Sequence, residues 1–118
     1  MMTKDLWCYL VLLCAFSYFT WHFTNYLFAD DLYCYDGDTC YFNDEPLRLL
    51  GVDTPELPTD RGYQARDFVN SWLSRSEEVE IVFSGRRGYY GRHLVDIYID
   101  GQNLSETLIE RGYGEVYK

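Results

Sequence analysis

Beyond residue 30 the chain alternates short apolar runs with turn-forming residues, and the periods of those runs define most of its elements. Residues 32–35 and 39–42 are aromatic-rich and flank Asp36-Gly37, a strong hairpin signal. Asn43-Asp44-Glu45-Pro46 reads as a second turn. Residues 47–52 form a third strand, with Arg48 on the face opposite Leu47 and Leu49. Residues 53–62, with Pro55 and Pro58, are a loop. Ala65, Phe68, Val69, Trp72 and Leu73 then fall at i, i+3, i+4, i+7 and i+8, which predicts an amphipathic helix over 63–74. Residues 79–83 are a fourth strand, 84–91 a loop rich in Gly and Arg, and 92–99 a fifth strand ending in Asp100-Gly101. A short helix over 104–111 takes Asn103 or Ser105 as its cap and Gly112 as its stop. Three strands, a helix, two strands and a helix predict an α+β domain built as a small five-stranded barrel of the OB type.

The first quarter has a different pattern. Residues 6–23 hold no charged side chain, and 6–28 are long enough to cross a hydrocarbon core of about 30 Å as a helix. Aromatics crowd the second half, from Phe16 to Phe28, as at a membrane interface. Residues 1–29 are therefore expected to be a hydrophobic anchor helix or a signal peptide, with Ala29 as a cleavage point. Lys4 before the segment and Asp30-Asp31 after it favour an inside N-terminus. The expected product is a membrane-anchored exported domain, periplasmic or extracellular, or a secreted one after cleavage. The domain itself spans 30–118, which is 118 − 29 = 89 residues, enough for one modest core.

The net charge is −9, and the leader holds one Lys and one Asp, so the acidic excess lies in the domain. Nucleic-acid binders usually present a basic surface. A local site can still be positive if a cation and clustered arginines overcome the global field. Of four cysteines, Cys8 and Cys14 lie in the leader, while Cys34 and Cys40 flank the turn symmetrically. A hairpin would set those two sulfurs opposite each other. In an oxidising compartment a disulfide is expected, and elsewhere two buried thiols.

The carboxylates Asp36 and Asp38 sit two apart in a tight turn, and Asp53 and Glu56 follow a strand end. Converging in a barrel, they would supply hard oxygens of the kind calcium takes. Arg48 leads into Asp53, and Arg92 opens the fifth strand after Tyr89-Tyr90-Gly91. Guanidinium groups suit bidentate phosphate recognition. A phosphodiester hydrolase needs a cation against phosphate charge, a carboxylate to orient or deprotonate water, and donors for the transition state. All three are present. Taken alone, each fragment is ordinary turn or surface chemistry.

Together the fragments resemble the staphylococcal nuclease-like (thermonuclease) family. The matching stretches are Asp36-Gly-Asp-Thr39, the run from Leu47 to Glu56, Tyr90-Gly-Arg92, the run from Val95 to Gly101, and the run from Asn103 to Gly112, all in the family's order. The resemblance implies an OB barrel with calcium held by Asp38, Asp53 and the carbonyl of Thr54, and with Asp36 behind them. It implies Glu56 as the group that positions or activates water, Arg48 and Arg92 as the phosphate-binding pair, and Tyr90 as a further phosphate contact. Family members usually add a helix beyond this point and a tyrosine that stacks near the base, for which Tyr113 and Tyr117 are the candidates. The expected partner is DNA, with RNA second, and the expected state a monomer. The competing readings are a non-catalytic OB module binding nucleic acid or protein, and a structural domain that takes calcium for stability alone.

Overall fold

The computed structural model describes residues 31–117. The leader helix expected over 6–28, with its anchor or signal role, lies outside them. Among the described residues no helix is long and apolar enough to cross a membrane.

Strands β1 (Leu32–Cys34) and β2 (Thr39–Phe42) pair antiparallel around the Asp-Gly-Asp turn, with Tyr33 opposite Tyr41 and Cys34 opposite Cys40. Cys34 and Cys40 are bonded through their sulfurs on the buried side. Asn43 and Asp44 both take positive φ, 51° and 64°, as the two central residues of a type I′ hairpin turn do. The turn is thus two residues shorter than the sequence suggests, and β3 runs over Glu45–Leu49. Pro46 is tolerated there because β3 meets its second neighbour only from Leu47 onward. Gly51, at φ 79°, then breaks the strand. Its expected continuation is a separate strand β4 (Val52–Asp53), paired with β8 (Glu115–Val116).

Helix α1 spans Asp60–Arg75, starting three residues earlier than its apolar period indicates. Thr59 caps it, its Oγ1 accepting from the Gly62 amide at 3.0 Å. Strand β5 covers Val79–Arg87 and β6 His93–Ile99, paired antiparallel with a register slip between Phe83 and Arg87. Residues 84–87, expected in a loop, therefore belong to a bulged strand in which Gly85 sits at φ 81°. After β7 (Gln102–Asn103), helix α2 covers Leu104–Glu110, and Asn103 rather than Ser105 is its cap.

The main sheet runs β1-β2-β3-β6-β5, with β3 and β6 parallel and the other pairs antiparallel. Among the described residues no ladder joins β5 back to β1, so the architecture is a curved mixed sheet with two helices, an α+β barrel-like fold. The free edge of β1 is met instead by α1. Asn70 Oδ1 accepts from the Cys34 amide and Asn70 Nδ2 donates to the Cys34 carbonyl, both at 2.9 Å. The core gathers Leu47, Leu49, Val52, Val69, Val95, Ile97, Ile99, Leu104 and Leu108. It backs the strand ends that carry the polar site.

Candidate functional site

The β1–β2 turn is held by its own carboxylate. Asp36 Oδ1 accepts from the amides of Asp38 and Thr39 at 3.1 and 2.7 Å. This leaves Asp38 pointing across to the strand that follows Gly51. Asp38 is buried, and its Oδ2 accepts from the Thr54 amide at 2.9 Å. The approach is close: a Cβ on Gly37 would fall 2.7 Å from the Thr54 side chain. Only glycine fits there, and the requirement is one of space. The Asp38 carbonyl accepts from the Leu49 amide at 3.0 Å, which completes the join. Two segments sixteen residues apart in sequence are thereby locked side by side.

Arg48 projects from β3 as its alternation with Leu47 and Leu49 requires. Its side chain is only 12% exposed. Nη1 donates to the Val52 carbonyl at 2.8 Å and the Leu49 carbonyl at 3.2 Å, and lies 3.4 Å from Asp38 Oδ2. Nη2 is 3.5 Å from Asp53 Oδ1. The guanidinium thus closes one end of an acidic cluster. Arg92, across the sheet, donates from Nη1 to Thr39 Oγ1 at 3.0 Å, while its Nε is buried without a partner. The Tyr90 ring stands 5.4 Å from the Arg92 guanidinium. Thr54 Oγ1 is likewise buried and unpartnered. Two of the three such atoms among the described residues therefore lie at this site, the third being Ser105 Oγ.

The carboxylates crowd one another. Asp36 is pushed up to about 6, first by burial, then by its hydrogen bond with Asp38 and the negative charge of Asp38, against the pull of the two amides. Asp53 is raised by partial desolvation and by the charge of Asp38, with Arg48 drawing it back and Glu56 adding a further repulsion. Glu56 is exposed, just past the buried Thr54. Among the described residues no group of three or more His, Cys, Asp or Glu is arranged to hold a metal ion. The expected ligand set draws on only two carboxylates, with a carbonyl and solvent supplying the rest.

The structure thus brings Asp36, Asp38, Asp53, Thr54 and Arg48 into one cradle, with Glu56 at its rim and Arg92 with Tyr90 across the sheet. The two tyrosines near the end of the chain separate. Tyr113 stacks on Phe68 at 4.6 Å and packs against the core. Tyr117 is exposed, with the Arg48 guanidinium 5.3 Å from its ring centre. Sequence reasoning did not single out Asn70 or Gly114, and it took Gly37 as turn chemistry, not as a requirement of space. A Cβ on Gly114 would meet Val52 at 2.7 Å. Such needs are visible only once the chain has folded back on itself.

Comparison with known proteins places these features in a family. Residues 46–118 match the model of the staphylococcal nuclease homologues. A protein of uncharacterized function from Methanocaldococcus jannaschii is 33% identical, over 83% of this chain and 67% of its own length. The SPbeta prophage-derived endonuclease YokF of Bacillus subtilis is 32% identical over 69% of this chain, and endonuclease YncB of the same organism 33% over 69%. The chain spans 31% and 44% of the length of those two endonucleases. Because the match covers residues 46–118, more than half of the chain, and includes Arg48, Asp53, Glu56 and Arg92, the chain belongs to the family of staphylococcal nuclease homologues.

Proposed function

We propose that this chain is a calcium-dependent nuclease that hydrolyses phosphodiester bonds of DNA, and secondarily RNA, with little sequence preference. The observation that carries the reading is the buried, unpartnered Nε of Arg92. A buried donor left unsatisfied is costly, and a phosphate oxygen is the acceptor it lacks. Nη1 of the same residue is fixed by Thr39, so the guanidinium is already aimed. Arg48, anchored by two carbonyls, offers the second cationic contact, and Tyr90 a third group beside Arg92. Charge that develops on the phosphate oxygens would meet donors fixed in advance. Glu56, exposed at the rim, is the carboxylate free to orient water or take its proton.

The cluster also fits a hard cation. Burial first, and then the negative charge of Asp38, raises both Asp36 and Asp53, and Arg48 stands beside Asp38 and Asp53. Asp38, Asp53 and the Thr54 carbonyl would hold calcium, with Asp36 fixing the turn behind them. When bound, the ion would neutralise phosphate charge at the cleavage point. Contacts to phosphate rather than to base edges support low sequence preference. Endonuclease relatives support the reaction class.

The same reading takes the sheet as an OB barrel and the domain as an exported monomer, tethered through residues 6–28 or released after cleavage. The Cys34–Cys40 bond supports export, since disulfides persist in oxidising compartments. The deciding experiment assays plasmid degradation by the wild type and by Glu56→Gln, each with calcium and with chelator. Activity that requires calcium and collapses in Glu56→Gln is expected. Full activity in the variant, or indifference to chelator, would falsify the proposal.

A further inference from the structure

Two arginines flank the acidic cradle, and they are held in different ways. Arg48 meets the carboxylates directly, with Nη1 3.4 Å from Asp38 Oδ2 and Nη2 3.5 Å from Asp53 Oδ1. Among the described residues Arg92 forms no ion pair. Its Nη1 donates instead to Thr39 Oγ1 at 3.0 Å, and Thr39 Oγ1 donates to Asp38 Oδ1 at 3.3 Å. Asp38 is thus in contact with one arginine and a single hydroxyl away from the other.

The order of that chain is fixed by chemistry. A guanidinium only donates hydrogen bonds, and an ionised carboxylate only accepts them. A hydroxyl does both, so it takes the Arg92 N–H on a lone pair and gives its own hydrogen to Asp38. Thr39 has little freedom to leave this position. It is 8% exposed. Its amide donates to Asp36 Oδ1 at 2.7 Å, and its carbonyl accepts from the Tyr35 amide at 2.9 Å. It stands opposite Arg48 in the β2–β3 ladder, and cross-strand partners share one face of the sheet.

Without the hydroxyl, an arginine so placed would pair with the carboxylate directly, since opposite charges a few ångströms apart attract strongly near a protein surface. That pair would neutralise Asp38 and occupy the guanidinium at once. The cradle would lose a charged oxygen for a cation, and Arg92 would lose an N–H for phosphate. The hydroxyl prevents both. It satisfies one N–H of Arg92 while Nε stays buried and unpartnered, and it leaves Asp38 paired with one arginine rather than two. We infer that Thr39 is a positioning residue, a neutral spacer that holds Arg92 close to Asp38 without letting the two pair. It keeps the cation and phosphate contacts separate within one cradle. This rests on the calcium and phosphate roles proposed above for Asp38 and Arg92.

The test is a double-mutant cycle on the full chain, read as calcium affinity by titration calorimetry, so that cleavage does not enter. Thr39→Val keeps the branched shape and strand preference and removes the hydroxyl. Arg92 is then expected to close on Asp38, and calcium should bind about tenfold more weakly, because a positive charge has moved against one of its ligands. Thr39→Ser keeps the hydroxyl and should bind as the wild type does. In the Arg92→Ala background, adding Thr39→Val should change calcium affinity by no more than about twofold. A side chain needed only for the shape of the turn would weaken binding equally in both backgrounds, and that result overturns the spacer. So does a Thr39→Val chain that binds calcium like the wild type. Should Thr39→Val fail to fold by circular dichroism, Thr39→Ala enters the same cycle with the same expectations. Cleavage of a DNA strand is read separately. It should fall about tenfold in Thr39→Val, within the range for a misplaced donor to developing charge, and should fall no further when Thr39→Val is added to Arg92→Ala. The expected calcium cycle without any cleavage would sink the nuclease reading and leave the spacer standing. A wild type that binds no calcium would sink the cation reading and the spacer with it.

Discussion

The two regions that meet at the site are built in opposite ways. Residues 34–56 form a cradle whose Asp36, Asp38 and Arg48 side chains are tied to the backbone around them. Asp36 satisfies two amides, Asp38 ties Thr54 and Leu49, and Arg48 is pinned to two carbonyls. The arm formed by residues 84–91 has few such ties. Gly85 and Gly91 take positive φ, Tyr89 is 93% exposed and Tyr90 77%, and the rings lean mainly on each other at 4.9 Å. Its backbone closes through Gly88 to Arg92 at 2.7 Å and Gly91 to Gly88 at 3.0 Å. Few buried apolar contacts and exposed hydrogen bonds mark the less stable end of a fold. On the proposed nuclease reading, the division follows from the chemistry. Holding several carboxylates against their mutual repulsion needs an over-determined backbone. Gathering a long flexible polyanion does not.

Arg92 stands where the regions join, and replacing it should separate chemistry from stability most sharply. Arg92→Ala is expected to lower the cleavage rate about 10²–10³-fold, the range for removing one fixed donor to developing charge. Among the described residues its side chain makes one hydrogen bond, to Thr39, and otherwise meets the exposed Tyr90 ring, so chemical unfolding should register about 1 kcal/mol or less. A variant that unfolds readily would recast Arg92 as a structural residue. Gly37→Ala should do the reverse within the cradle. The added methyl would sit 2.7 Å from Thr54, and overpacking of this kind costs about 1–3 kcal/mol. Urea denaturation reads that loss, and calorimetry should show weaker calcium binding. Unchanged stability would mean the turn can retreat from Thr54, contrary to the tight join described above.

The same contrast explains what the sequence discloses. The β1–β2 hairpin, most of α1 and the Asn103 cap are written in local pattern, because each depends on neighbours a few residues away. The site fragments were also legible, as turn and strand-end residues whose types suit one chemistry. Features set by distant partners were not. Asn70 clamps Cys34 from 36 residues away, and nothing in a helix pattern marks it. Gly85 reads as a strand breaker, yet β6 supplies a partner past the bulge and β5 continues to Arg87. β4 and β8 are two residues each, too short for any period. Pro46 looks like a turn residue until the ladder shows that its neighbour on one side is absent.

A smaller effect tests the charge crowding in the cradle. Asp36 binds its proton more tightly in the folded chain, at about 6, than in the unfolded one, near 3.9. Its contribution to stability is therefore present below about pH 4 and lost as pH rises to about 6. In chelator, unfolding free energy should fall across that window by about 1 kcal/mol, a value discounted for the screening of a half-exposed group. Asp36→Asn keeps an oxygen for the two amides and should flatten the slope. An identical slope in the variant would place the titration elsewhere.

The arm calls for the gentlest perturbation. Arg86 and Arg87 are exposed, and Arg87 donates to the Gly91 carbonyl at 2.9 Å. On the proposed nuclease reading they would reach substrate through long-range attraction, so their effect should appear in salt dependence before it appears in rate. Arg86→Ala should reduce the slope of log affinity against log salt by about 1 if the side chain neutralises one phosphate. Melting temperature should not move. Arg87→Ala should produce the same change in slope with a slight loss of stability, because its hydrogen bond helps close the turn. If neither changes the slope, substrate bypasses the arm and phosphate recognition rests on the cradle and Arg92 alone. Recognition would then be as rigid as the chemistry, and the division between the two regions would be one of structure only.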